Sequence, residues 1–82
     1  MATYHYVYIL QSIPDPSRHY TGLTTDLRSR LAKHNEGGNP HTADFPPWSI
    51  ITAVSFSDPT KASAFERYLK TASGRAFASK HF

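Results

Sequence analysis

The chain contains no cysteine among its 82 residues. Disulfide staples, thiolate zinc sites and thiol nucleophiles are therefore excluded together. Long apolar runs are absent as well. The longest, Tyr6 to Leu10, is too short for a membrane span or the core of a signal peptide. Met1 to His5 carries no basic leader, so a cytoplasmic protein is the expectation. Acids are scarce too, six Asp/Glu against nine Lys/Arg and a net charge of +3.

What remains is enough for one small domain spanning residues 1–82. Hydrophobic residues make up 39% and aromatics 13%, sufficient for a core, and a charged fraction of 18% is too modest for a disordered tail. A chain this short buries only roughly 60–65% of its unfolded surface. Its core must be thin, and any site must sit on the surface of that core. The cations are unevenly placed. From Lys61 onward stand Lys61, Arg67, Lys70, Arg75 and Lys80 against the single acid Glu66, a local excess of +4. A clustered positive field favours a polyanionic partner, nucleic acid being the commonest. A solvated helix face accounts for the same charge.

Periodicity predicts the order β-β-α-β-α with a short C-terminal helix. Tyr4 to Gln11 reads as a strand with two apolar faces, Val7 and Ile9 on one and Tyr4, Tyr6, Tyr8 and Leu10 on the other, which suits a central position. Pro14-Asp15-Pro16 marks a turn into a second strand, Arg18 to Leu23. Thr24-Thr25-Asp26 opens a helix that runs to about Asn35 and stops at Gly37-Gly38. A loop with three prolines, Asn39 to Trp48, precedes a third strand, Ile50 to Phe56. Asp58-Pro59 opens the second helix, predicted to last to Ser73 with Gly74 as its stop, and Arg75 to Phe82 forms the last. The expected fold class is α+β, a small, mainly antiparallel three-stranded sheet flanked by helices.

On the first helix Leu27 and Leu31 define the buried stripe. Arg30 and His34, at i and i+4, share a face at its border. Either a snorkelling arginine with an edge histidine or a rigidly held cation–imidazole pair fits that placement. The second helix is expected to bury Ala62, Phe65, Leu69 and Ala72, with Glu66 on the rim. Glu66 can form an ordinary surface pair with Lys70, or it can be kept to bind a divalent metal, since hard cations take oxygen ligands. Tyr8 and Tyr20 lie on neighbouring strands, where tyrosines also serve simple packing. His34 and His41 lack a metal-ligand spacing, and no phosphate-binding glycine loop is present.

Tyr6-Val7-Tyr8 followed by Tyr20-Thr21-Gly22 resembles the paired tripeptides that name the GIY-YIG nuclease family. The likeness continues through the helix bearing Arg30 and His34, then Thr42, Pro47-Trp48, Glu66, Leu69-Lys70, Gly74-Arg75 and Phe77, and is greatest to the compact single-domain bacterial subgroup. Tyr6 stands where the name has Gly, Val7 and Thr21 where it has Ile, and no Asn follows Asn39, where several family nucleases carry one.

The resemblance implies an endonuclease that hydrolyses phosphodiesters with one Mg²⁺ or Mn²⁺ ion. The implied catalytic set is Tyr8, Tyr20, Arg30, His34 and Glu66, with Glu66 as metal ligand and Gly22 allowing close backbone approach beside Tyr20. Lys33, Arg67, Lys70 and Arg75 are the candidate contacts to the nucleic-acid backbone. DNA is expected over RNA, with low sequence specificity, no membrane partner and a monomer. A non-catalytic nucleic-acid-binding module on the same fold and a protein-interaction domain are the alternatives.

Overall fold

A computed structural model of the chain describes residues 3–82. Met1-Ala2, part of the opening read above as no targeting segment, lies outside the described residues. The elements are β1 His5–Ser12, β2 His19–Thr24, α1 Leu27–Asn35, β3 Trp48–Phe56, α2 Pro59–Leu69 and α3 Ala72–His81. The three strands form one antiparallel sheet in the order β2-β1-β3. The two apolar faces of β1 place it at the centre, because only a central strand has cover for both. The α+β class and the element order read from the sequence are those observed.

The two faces of β1 feed two separate small cores. Val7 and Ile9 pack with Ala62 and Leu69, and with half-buried Leu23, Phe56, Phe65 and Phe77. Tyr8 and Leu10 pack on the other face with Trp48, closed by Tyr20, Leu27, Leu31 and Ile50. So α2 and α3 cover one side of the sheet and α1 the other. Pairing of β1 with β3 shifts between Ile9 and Leu10, where Ile51 is the extra residue of a bulge.

Local chemistry sets the helix ends. Asp26 alone caps α1, its side chain accepting from Ser29 N at 3.1 Å, while Thr24 stays in β2. Asp58 caps α2 by accepting from Thr60 N, with Pro59 in the first turn as expected. The expected end of α2 is wrong. It stops at Leu69, and Thr71 caps a new helix by accepting from Gly74 N at 3.1 Å. Ala72 therefore lies in α3 and is exposed rather than part of the α2 stripe.

Gly74 is not a stop but a contact in the first turn of α3. A Cβ there would overlap the Tyr68 carbonyl and crowd Leu69 Cα at 2.6 Å. Backbone on both sides leaves no soft neighbour to yield. Gly74→Ala is expected to cost about 1–3 kcal/mol, while exposed Ser73→Ala stays within about 0.5 kcal/mol. Urea denaturation of the two variants measures both.

Candidate active site

The functional candidates gather where β1 crosses β2. Tyr8 stands opposite Gly22 in the strand register, and its ring lies across that position. A Cβ at Gly22 would overlap the Tyr8 hydroxyl and Cζ. The missing side chain thus makes room for the Tyr8 phenol, a different use from the backbone approach beside Tyr20 read from the sequence.

The space leads the phenol to α1. Tyr8 is 2% exposed and its hydroxyl lies 2.9 Å from His34 Nε2. His34 is itself 1% exposed, so it is no edge histidine. It is the buried residue of α1, held between Tyr8 of β1 and Thr42 of the following loop. Its other nitrogen, Nδ1, lies 2.7 Å from Thr42 Oγ1, and the Thr42 hydroxyl donates to the Asn39 carbonyl at 3.4 Å. Tyr20 packs on the same imidazole at a 4.9 Å centroid distance, with His41 stacked on its far side and Asn39 Nδ2 donating to its hydroxyl.

Burial and charge set the protonation states. Desolvation, with the neighbouring Tyr20, pushes the Tyr8 phenol up to about 12, against the opposing pull of Arg30. Glu66 adds to the rise, so its charge reaches the phenol from the far helix. Burial first, then the Arg30 guanidinium, holds His34 below the ordinary histidine range. At neutral pH the pair is therefore a neutral phenol facing a neutral imidazole.

The structure puts Tyr8, Tyr20 and His34 in contact, whereas Arg30 acts through charge on Tyr8 and His34, and Glu66 on Tyr8 alone, from α2 on the other face of the sheet. Arg30 is exposed on α1. Glu66 pairs with Lys70 Nζ at 3.0 Å, and its side chain is 19% exposed. Of the four candidate phosphate contacts, Lys70 and Arg75 line a depression of about 1120 Å³ that also takes in His19, Tyr20 and His41. No Asp or Glu is among its lining residues, so Glu66 stands outside it. Lys33 and Arg67 are exposed elsewhere.

Three side chains of this region are not legible from pattern. Thr42 is fully buried in a loop without periodicity. Asn35 brackets the start of β3, its Oδ1 accepting from Trp48 N at 2.6 Å and its Nδ2 donating to Trp48 O at 3.3 Å. Asn39 supplies both the carbonyl and the amide described above. A buried polar residue in a proline-rich loop carries no hydrophobic signal; Thr42, and Asn35 at the end of α1, entered the reading only as part of the resemblance.

Comparison with known proteins places this geometry. The model of the GIY-YIG catalytic domain matches residues 4–80. The structure-specific endonuclease subunit SLX1 of Scheffersomyces stipitis is 40% identical over 70 residues, covering 78% of this chain and 20% of that protein. A UPF0213 protein of Lactococcus lactis subsp. cremoris is 36% identical over 67 residues, covering 80% of this chain and 66% of its own length. This chain thus spans between a fifth and about two thirds of those two relatives. The solution NMR structure of a UPF0213 protein from Bacillus halodurans superposes with a TM-score of 0.56 at 29% identity, covering 94% of this chain and 83% of that one.

Two outcomes follow from the buried pair. Gly22→Ala should displace the phenol, break the Tyr8–His34 bond and cost about 1–3 kcal/mol in denaturant unfolding. The second concerns acid. An unfolded His34 binds its proton near pH 6.5, whereas the folded site resists it, so stability falls as pH drops below about 6.5. The stability gap between wild type and His34→Gln should therefore narrow from about pH 7.5 to about pH 5. A gap that widens over that range would show that the imidazole is charged in the fold.

Proposed function

Because the chain belongs to the GIY-YIG catalytic domain family, a family of nucleases, we propose that it is an endonuclease hydrolysing phosphodiester bonds, of DNA rather than RNA, with one Mg²⁺ or Mn²⁺ ion. The observation that carries the proposal is the gathering of Tyr8, Tyr20 and His34 around one buried phenol that also feels Arg30 and Glu66. Four separate elements supply these groups.

The donor set fits a hard ion loosely held. Among the described residues no three His, Cys, Asp or Glu side chains cluster to form a closed metal cage. Glu66 is one partly exposed carboxylate, which suits Mg²⁺, an ion that keeps several waters and takes the rest of its shell from phosphate oxygens. Such an ion, once bound, would polarise the scissile phosphate and stabilise the leaving oxygen. Lys70 now occupies the Glu66 carboxylate. Released from it, Lys70 has the depression and any phosphate in it to face.

The protein's own groups divide the remaining work. Arg30 neutralises charge developing on the phosphoryl oxygens. Tyr20 positions water or phosphate at the mouth of the site. Tyr8 takes a proton from the attacking water as its own phenolic proton passes to His34 Nε2. The water oxygen then bonds to phosphorus, and the bond to the leaving oxygen breaks. At rest this transfer is steeply uphill, with the phenol near 12 and the imidazole below its ordinary range. The relay stays loaded until substrate arrives. The basic surface contacts phosphates without reading bases, hence low sequence specificity.

Glu66→Gln tests the reading directly. It preserves volume and removes the charge, and a partly exposed i,i+4 pair of this kind contributes about 1 kcal/mol or less. The melting temperature should hardly move, while nicking of supercoiled DNA in Mg²⁺ or Mn²⁺ falls by at least about 100-fold. Undiminished cleavage by the variant would exclude Glu66 as ligand. A wild type inert on DNA and RNA of every structure, yet binding them in a salt-sensitive way, would make the domain a binding module.

A further inference from the structure

Thr42 belongs to no catalytic set read from the sequence, yet it is fully buried against the one imidazole that must accept a proton. We propose that Thr42 is the positioning residue that holds His34 in the Nδ1–H tautomer, leaving Nε2 bare to receive the Tyr8 proton. The inference rests on the nuclease reading for its consequence, but its geometry stands alone.

Hydrogen-bond polarity carries the argument. The Tyr8 hydroxyl has His34 Nε2 as its one hydrogen-bond partner among the described residues. A buried phenol proton needs an acceptor, so Nε2 must be unprotonated and the ring's proton must sit on Nδ1. Nδ1–H then requires an acceptor of its own, and Thr42 Oγ1 is there at 2.7 Å. A hydroxyl that accepts must send its own proton elsewhere. The Asn39 carbonyl, which can only accept, lies at 3.4 Å from Oγ1 and also receives Thr42 N at 3.1 Å. The chain therefore runs one way, Tyr8 to His34 to Thr42 to Asn39. Reversal would turn Nε2–H against the phenol oxygen and leave the phenol proton buried without an acceptor.

Thr42 is itself fixed. Trp48 Nε1 donates to its carbonyl at 2.9 Å, and Asn35 brackets the backbone of Trp48. The loop between α1 and β3 is thus tied at both its polar and its aromatic contacts. A rigid acceptor is what tautomer selection requires, because the two neutral forms of an imidazole differ little in energy by themselves.

Thr42→Val keeps the shape and removes the acceptor, and Thr42→Ser restores it. Two readouts decide the matter. Nitrogen NMR of the folded wild type at neutral pH should show Nδ1 of His34 protonated and Nε2 bare, a state lost in Thr42→Val and kept in Thr42→Ser. In Mg²⁺-dependent cleavage, Thr42→Val should lower kcat by roughly 100-fold, the lower range for a positioned proton transfer, with KM unchanged and most of the loss recovered by Thr42→Ser. Protonated Nε2 in the wild type overturns the proposal without any variant, so a Thr42→Val chain that fails to fold does not shelter it. Wild-type kcat in folded Thr42→Val overturns the positioning role and leaves the nuclease reading intact. The expected tautomer in a wild type that cleaves nothing overturns the nuclease reading and leaves Thr42 setting the His34 tautomer without a catalytic consequence.

Discussion

A phenol hydroxyl withdrawn from water must find an acceptor, and that requirement on Tyr8 organises much of this small protein. Tyr8 comes from the central strand, so its ring cannot reach solvent without crossing a neighbour. The absent side chain of Gly22 gives it the route, and His34 gives it the acceptor. His34 then needs Thr42, Thr42 needs the Asn39 carbonyl, and the loop carrying both is secured by Trp48 and Asn35. No buried side-chain polar atom among the described residues is left without a partner. A half-satisfied chain of this kind would be worse than an apolar core.

The thin sheet makes this arrangement possible. Helices on both faces divide the apolar residues into two small clusters, neither large enough to hide a charged constellation. Neutral groups are sealed inside: the phenol, the imidazole and the hydroxyl. Charged groups stay at the rim, Arg30 on one helix and Glu66 on another, and both bear on the charge of Tyr8. The interior sets the proton inventory and the rim supplies the field. This division avoids the desolvation cost of burying ions, which their mutual attraction often fails to offset.

Sequence periodicity reveals the parts of this design that repeat. Alternation along residues 4–11 identifies β1 as central, and Asp58-Pro59 marks the start of α2 because capping chemistry is local. The order of tripeptides, with Arg30, His34 and Glu66 after them, identifies the candidate site through the family likeness rather than through periodicity. The helix wheel places His34 at the border of the stripe, but a wheel cannot show that Tyr8 and the loop bearing Thr42 close over it. The end of α2 is misread because Gly74 is assumed to be a stop, when its lack of a side chain serves the packing of α3 against Tyr68. Thr42, Asn39 and Asn35 show nothing of their contacts in periodicity. Their value lies in contacts with residues distant in the chain, and a single buried polar residue leaves no pattern to read.

Structural and chemical duties are therefore distributed unequally over the same site. Tyr8, Gly22, His34 and Thr42 are buried in the fold and, in the proposed reaction, also belong to the proton path, so a substitution there can disturb both. A change in activity at these positions is uninterpretable unless protonation or stability is measured beside it. Arg30 and Glu66 are different, because solvent already screens much of what they contribute to folding. Evolution can exchange or lose the rim charges at little cost to the domain, converting an enzyme to a binding module while the sealed phenol–imidazole pair persists. On this scaffold the buried pair is bound up with the fold, whereas the two rim charges, one acid and one base, can change with less cost to it.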